Sequence, residues 1–456
     1  MLDRFKHYAA EQHLFPEGGE VLLAVSGGRD SVVMTDLMHR CGVRFAIAHC
    51  NFHLRPGECD RDERFVRELA SRMGVRCHVA DFDTVAYAAA HGLSIEEAAR
   101  ALRYSWFASL VAADGYACLA TAHHRDDSVE TFFLNLCRGT GIAGLHGILP
   151  LTVSTEWDTP LTVIRPMLCF SRSEIDAYAE AHGLSFVDDS TNAHVDLRRN
   201  AVRLRLMPMF REIYQPIDGA VEATMAHLHD AEVLLASFVG TIRTSLVKPY
   251  ASRLPWGAPY IEAIDVAALQ GHLSPFVQQP STQRTLLFEL LRPWGFNAAV
   301  VGDILRAIVD GGGGRLFLSP THVAELHRGH LLLAERSEAT PPTLSLTTFA
   351  VDVGSAVSLA MAEHDAIVEH FDADKLRQPL SLRLWQEGDR FRPLGMYGTR
   401  LVSDFLKDSR LSIIERRCVY MLVDADGMPV WIVGLRIDDR VKVTPSTIRM
   451  LRVAVR

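Results

Sequence analysis

No two cysteines of this 456-residue chain stand in a C-x-x-C pair; the eight lie singly at 41, 50, 59, 77, 118, 137, 169 and 418. That pattern argues against a disulfide scaffold, a zinc ribbon or a cysteine-held iron–sulfur cluster, and reads as reduced thiols used as small core residues. Long apolar runs are missing too: none reaches the roughly 18 residues a membrane helix needs. The opening Met1–His7 has no apolar block of the secretory kind. The expectation is a soluble cytoplasmic protein with no membrane partner. A large excess of basic charge is also absent, since the net charge is −8. The average hides an asymmetry, because residues 383–456 carry +5 and the remainder −13. An anionic partner at the C-terminal end fits that distribution. What is present is 48% hydrophobic and 22% charged residues, enough for a sizeable core.

The first part alternates apolar, β-branched runs with amphipathic ones. Strands are expected at 21–25, 43–49, 75–82 and 117–122, and helices at 31–39, 59–73 and 94–112. The last helix opens on a capping box, Ser94-x-x-Glu97. This alternation predicts an α/β fold with a doubly wound parallel sheet, in which ligands lie beyond the C-terminal ends of the strands. Residues 165–206 read as two helical stretches joined by the polar turn Asp188–Asn192. From 217 to 308 the pattern is mainly helical, and short strand-like runs follow at 316–318 and 331–334. Residues 335–345, with Pro341 and Pro342, read as a linker. Short β-like runs at 382–385, 421–423 and 430–433, with a helix at 403–407, close the chain as a small α+β module. The boundaries drawn are 1–215, 216–335 and 346–456.

Directly after the first strand stands Ser26-Gly27-Gly28-Arg29-Asp30-Ser31. Two glycines let the backbone approach a phosphate, and the N–H groups of the next helix's first turn face the anion. This loop itself fits neither G-x-x-x-x-G-K-[ST] nor G-x-G-x-x-G. An isolated Gly–Gly pair would be a plain turn, but the six residues together match S-G-G-x-D-S, the pyrophosphate loop of ATP pyrophosphatases. Enzymes with this loop split ATP into AMP and pyrophosphate and use the AMP to turn a carbonyl oxygen into a leaving group.

Three further segments carry candidate chemistry. His49, Cys50, His53 and Cys59 match the spacing of no closed zinc site, so that stretch reads as a loop facing the nucleotide. On the helix from Ser94, Ile95, Ala99, Leu102 and Trp106 form one stripe, and Arg100 and Arg103 project off it, either into solvent or toward phosphate charge. After the fourth strand comes Thr121-Ala122-His123-His124-Arg125-Asp126-Asp127-Ser128-Val129-Glu130. Asp127 and Glu130 share a helix face. They could hold Mg²⁺, handle an amine, or be ordinary acids at a helix start. Gly139, Gly141 and Gly144 follow as a loop near the site. Arg198, Arg199, Arg203 and Arg205 offer an RNA-backbone contact or a charged helix face.

Taken together the chain resembles the tRNA(Ile)-lysidine synthetases. The matching pieces are Ser26–Ser31, His49-x-x-x-His53-Leu54-Arg55, Ala99-Arg100-x-x-Arg103-Tyr104, His123-His124-x-Asp126-Asp127-x-x-Glu130, Arg138-Gly139-x-Gly141, Arg165-Pro166-Met167-Leu168, Asp189-x-x-Asn192 and Arg199-Asn200-x-x-Arg203. Later matches are Gly388-Asp389-Arg390-Phe391, Ser403-Asp404-Phe405-Leu406 and Gly434-x-Arg436-Ile437-Asp438. The resemblance implies a PP-loop ATPase fold of the adenine nucleotide alpha hydrolase type, then a helical tRNA-facing domain and a C-terminal tRNA-binding domain. It implies ATP and Mg²⁺, and as partners free L-lysine and the CAU-anticodon tRNA(Ile). ATP would adenylate O2 of the wobble cytidine, and the lysine ε-amine would then displace AMP from C2. Ser26, Gly27, Gly28, Arg29, Asp30 and Ser31 would hold pyrophosphate, and Asp30, Asp127 and Glu130 the metal. Arg103, Asp127, Glu130 and His123 would serve catalysis. The oligomeric state is left open, a homodimer being one option.

Three other readings share the loop. A tRNA thiolase would need a cysteine pair or a cluster, which the scattered cysteines do not supply. A non-catalytic nucleotide-binding module would need neither the Asp127/Glu130 pair nor a basic C-terminal module. A glutamine-dependent synthetase would need a glutaminase segment that is not found.

Overall fold

The computed structural model describes residues 1–54, 57–155, 157, 159–187, 197–254, 261–336, 341–362 and 368–455. Arg55, the turn Asp188–Asn192 and part of the linker at 335–345 therefore lie outside the described residues. The chain divides into two compact units, Met1–Leu234 and Leu235–Arg456.

The first unit begins with α1 (Leu2–Glu11), β1 (Val21–Ala24), α2 (Arg29–Arg40), β2 (Phe45–Asn51), α3 (Glu58–Met73) and β3 (Cys77–Asp81). It continues with α4 (Thr84–His91), α5 (Ile95–Asp114), β4 (Cys118–Ala120), α6 (Arg125–Arg138), β5 (Leu151–Ser154), β6 (Leu161–Ile164) and α7 (Arg172–Ala181). The sheet order is β3-β2-β1-β4-β6-β5, with every neighbouring pair parallel except the edge pair of β5 and β6. The central strands β1 and β4 are apolar throughout, as is β2 over Phe45–Ala48, because helices cover both faces there. Val21, Leu23, Phe45 and Ile47 pack on one side with Leu37, Met38, Val66, Phe170 and Ile175. Leu22, Ala46 and Ala48 pack on the other with Tyr104, Phe107 and Leu161. β2 and β3 lie on one side of β1 and β4 on the other, so strand order reverses between β1 and β4. The crevice outside those two strand ends is where such sheets bind ligands.

One expectation within this unit is corrected. The buried face of α5 carries Ala98, Ala99, Tyr104, Phe107 and Ala108, and Ile95 is exposed. Tyr104 takes a place on the buried face that the expected stripe did not include, its ring stacking on Trp157 with centroids 5.9 Å apart. After α7 come α8 (Leu197–Ala201), a π-helical turn at Val202–Leu206, α9 (Met207–Ile213) and α10 (Ile217–Leu246). A small apolar cluster of Val129, Phe132, Phe133, Val202, Met207, Val221 and Met225 seats α6.

The second unit holds β7 (Val247–Pro249), β8 (Ile261–Asp265), α11 (Val266–Leu273), α12 (Pro280–Leu291), α13 (Ala298–Val309), β9 (Leu316–Leu318), β10 (His322–His327) and β11 (His330–Glu335). The stretch expected to be mainly helical is therefore helical with strands in it. β7 and β8 complete a five-stranded sheet ordered β7-β8-β11-β10-β9. The rest of the unit comprises antiparallel sheets, around a core that includes Phe371, Phe391, Trp431 and Leu451, and the short helices α14 (Ala356–Ala362), α15 (Val402–Asp408) and α16 (Ile413–Arg416). Two buried carboxylates cross between its parts. Glu325 on β10 accepts from the N–H groups of Ile413 and Ile414, at 2.9 and 3.0 Å. Glu415 accepts from Arg253 N–H and Ser252 Oγ, at 2.9 and 3.0 Å, and from Ser412 N–H at 2.8 Å.

Candidate active site

The loop after β1 is shaped as an anion cradle. Gly27 sits at φ +93°, a conformation only glycine adopts without strain, and its carbonyl accepts from Val187 N–H at 3.0 Å. Gly28 is the extended N-cap of α2 and supplies no side-chain cap. Among the described residues, the N–H groups of the first turn of α2 therefore have neither intrahelical partners nor a side-chain cap. The two serines brace the turn: Gly28 N–H donates to Ser26 Oγ at 3.2 Å, and Ser31 Oγ donates to Gly28 O at 2.8 Å. Arg29, on the same turn, pairs with Asp176 of α7.

The loop after β4 meets it across the crevice. His124, buried at the N-cap of α6, donates its N–H to Asp127 Oδ2 at 2.9 Å. Its Nε2 stands 3.5 Å from Asp127 Oδ2 and 4.0 Å from Asp30 Oδ2. Asp30 and Asp127 are thus brought together around one imidazole. Asp127 is in part an ordinary helix-start acid, since one of its oxygens caps α6. Arg172 Nη1 donates to Asp30 Oδ2 at 2.8 Å, while Asp30 Oδ1 is buried with no hydrogen-bond partner among the described residues. Burial pushes the Asp30 carboxyl above the usual range; His124 and Arg172 oppose this, and Asp127 and Asp176 add to it. The donors here are oxygens, which suits a hard cation. Among the described residues no three His, Cys, Asp or Glu side chains are grouped closely enough to hold a metal ion. The proposed trio with Glu130 is therefore not a closed cage, and a cation here would complete its shell from phosphate and water.

Glu130 is buried one turn along α6, 3.3 Å from Arg199 Nε. Burial, then the neighbouring Asp127, raises its carboxyl to about 7 against the pull of Arg199 and Arg203. Arg199 also donates to Thr131 Oγ1 at 3.2 Å, so it faces α6, whereas Arg198, Arg203 and Arg205 are exposed. Arg203 and Arg205 ride the π-helical turn, a local form frequent at functional sites. His123 is lowered to about 4 by burial, so its ring is neutral at pH 7; its Nδ1 lies 2.9 Å from Thr121 Oγ1. Arg103 is exposed with its guanidinium 5.1 Å from the Phe52 ring centroid, beside the end of β2. His49 Nδ1 lies 2.8 Å from Val25 O, and His53 Nε2 lies 2.8 Å from Asp81, so neither histidine faces the other as a ligand pair would. Burial pushes the Cys50 thiol up to about 12, leaving it unreactive. His124 and Arg172 are the site residues that sequence reasoning passed over. The first was hidden beside His123 in the same motif.

Three family models cover these parts: a PP-loop domain over residues 3–210, a TilS substrate-binding domain over 274–336, and a TilS substrate C-terminal domain over 380–453. Relatives from Bacteroides thetaiotaomicron and Parabacteroides distasonis, both named tRNA(Ile)-lysidine synthase, are 36% and 35% identical over 448 and 466 residues. The first match covers 98% of each chain and the second 99% of each. The chain belongs to the tRNA(Ile)-lysidine synthase family. As a member it is an ATP-using ligase with a PP-loop domain, and the thiolase reading is not favoured. Solved structures similar in part include the U34-tRNA thiolase NcsA of Methanococcus maripaludis, at 14% identity and a TM-score of 0.41, covering 50% of this chain and 78% of that one. A TilS C-terminal domain matches at 17% identity and a TM-score of 0.22, covering 25% of this chain and 84% of that one. In the tRNA(Ile)-lysidine synthase family's terms, the crevice between β1 and β4 falls wholly within the PP-loop domain match.

Proposed function

We infer that the chain ligates free L-lysine to C2 of the wobble cytidine of the CAU-anticodon tRNA(Ile), in the cytoplasm, consuming ATP. The observation that carries this reading is the meeting of the Ser26–Ser31 loop and the His124–Glu130 turn at the switch point of a PP-loop sheet, in a chain that matches lysidine synthases from end to end. The uncapped first turn of α2 binds the β and γ phosphoryls. Cytidine O2 attacks the α phosphorus and pyrophosphate leaves. The lysine ε-amine attacks C2, and AMP leaves with the former O2.

Free lysine's ε-amine, pKa ~10.4, arrives as an ammonium at neutral pH, so it must lose a proton before it attacks. Glu130, raised to about 7, accepts that proton, and Arg199 keeps it partly ionised for the purpose. Arg103 and the neutral His123 face the adenylated base. Mg²⁺ would be held by Asp30 and Asp127 with phosphate oxygens, neutralising charge on the departing pyrophosphate. Arg198, Arg203 and Arg205 contact the tRNA backbone. The test incubates the protein with ATP, labelled lysine and a tRNA(Ile) transcript. Label should enter the tRNA with AMP as co-product. Release of ADP, or incorporation untouched by Asp127→Ala, refutes the reading.

A further inference from the structure

Arg172 touches three elements of the phosphate-binding edge. Its Nη1 donates to Asp30 Oδ2 at 2.8 Å, its Nε to Asp176 Oδ1 at 3.1 Å, and its backbone N–H to Asp126 Oδ2 at 2.8 Å. Asp176 also pairs with Arg29 of the loop, whose guanidinium lies 4.5 Å from the Phe186 ring centroid. The start of α7 thus lays charges of alternating sign, Arg29, Asp176, Arg172 and Asp30, along the loop.

The ligand gives this row its consequence. A polyphosphate approaching the loop meets Asp30, Asp126, Asp127 and Asp176, and like charges repel strongly where water is sparse. Arg29 and Arg172 are the guanidinium groups paired with Asp30 and Asp176 in that setting. Arg172 also settles how Asp30 stands: Oδ2 is engaged, and Oδ1 is buried and uncommitted to any donor among the described residues.

We propose that Arg172 is a positioning residue for nucleotide binding: through Oδ2 it fixes Asp30 and cancels its charge, leaving Oδ1 to the incoming ATP and its cation. The proposal rests on the reading that ATP binds this loop. Arg172 was not among the candidate residues drawn from the sequence, and its role differs from simply tying α7 to the sheet.

The test uses the full chain and α,β-methylene-ATP with Mg²⁺, a probe that cannot be cleaved between the α and β positions. Failure of the unaltered protein to bind the probe would sink the nucleotide reading itself, which is a separate result. With binding established, Arg172→Ala should weaken probe affinity and raise KM for ATP about tenfold, with KM for lysine and for tRNA changed less than about twofold. Arg172→Lys should recover part of the affinity, because an ammonium can still hold Asp30. A folded Arg172→Ala protein that binds the probe as tightly as the unaltered chain, or that loses kcat with every KM unchanged, overturns the proposal. So does an Arg172→Lys protein as impaired as the alanine variant. Should Arg172→Ala fail to fold, Asp176→Asn takes its place. It removes the anchor that Arg172 shares with Arg29 and so loosens the hold of Arg172 on Asp30, with an expected loss in probe affinity of about threefold. Unchanged affinity there likewise overturns the proposal.

Discussion

Gly147 and Gly139 offer a controlled comparison on the loop that follows α6. Both hold left-handed backbone, at φ +70° and +74°. A methyl group added at Gly139 meets open space, whereas one at Gly147 would collide with Ser128 Oγ and stand 2.6 Å from Met225 Sδ. Alanine at either position costs about 1–2 kcal/mol for the backbone conformation alone. At Gly147 overpacking adds about 1–3 kcal/mol. Ser128 would also have to turn, abandoning the N–H of Ile148 that it accepts at 2.8 Å; an unsatisfied donor costs about 1–3 kcal/mol. Gly139→Ala should therefore cost about 1–2 kcal/mol and Gly147→Ala about 3–8 kcal/mol. With about 2–4 °C of Tm per kcal/mol for a unit of this size, calorimetry should show at least about twice the shift for Gly147→Ala. Because Ser128 adjoins Asp127, Gly147→Ala should also lower lysidine formation. Equal shifts in Tm for the two variants would refute the packing argument, since it would mean that the loop gives way freely.

Other consequences can be measured directly. Glu325→Ala leaves two buried N–H groups of α16 (Ile413–Arg416) without an acceptor and should destabilise the second unit by about 2–5 kcal/mol; a loss under about 1 kcal/mol in calorimetry would contradict the role given to that carboxylate. Burial alone would raise the Asp389 carboxyl, but the Arg383 fork and Gln386 N–H hold it below the usual range. Its contribution is thus complete above the unfolded pKa of ~3.9 and lost as pH falls through the lower folded value, so Asp389→Asn should flatten the acid limb of Tm against pH. An unaltered acid limb would show that the pair adds nothing. Arg203→Ala should weaken tRNA binding and reduce the salt slope by about 1, while Arg199→Ala should change turnover through Glu130. Identical effects of the two on the salt slope would refute that division.

The parallel sheet could be read from the chain because its strands are short apolar runs between amphipathic helices, and Gly27-Gly28 marks where the first crossover turns. The Ser94 capping box was equally readable, being a local exchange of hydrogen bonds with Glu97. β8 was not, because five residues of alternating character inside a long helical pattern take their identity from β7 and β11, which lie elsewhere in the sequence. The site divides in the same way. Ser26–Ser31 and Asp127 announce themselves by local motif, but Arg172 reaches Asp30 across a separation of 142 residues, and nothing in the spacing around Arg172 records that pairing. Arg199 stands apart for a related reason: four arginines on one segment look alike in the sequence, and only the fold sets one of them beside the buried Glu130.

The exchange of Glu325 and Glu415 bears on how the second unit meets a large ligand. Glu325 completes the turn at Ile413 and Ile414, and Glu415 ties that same turn to Ser252 and Arg253, so pulling residues 274–336 away from 380–453 would strand the donors at 413–414. Residues 274–336 and 380–453 should accordingly travel as one rigid arm, its two faces held at fixed spacing before anything docks. A nucleic acid long enough to touch both faces would forfeit little freedom in ordering them, and its grip would gain by the difference.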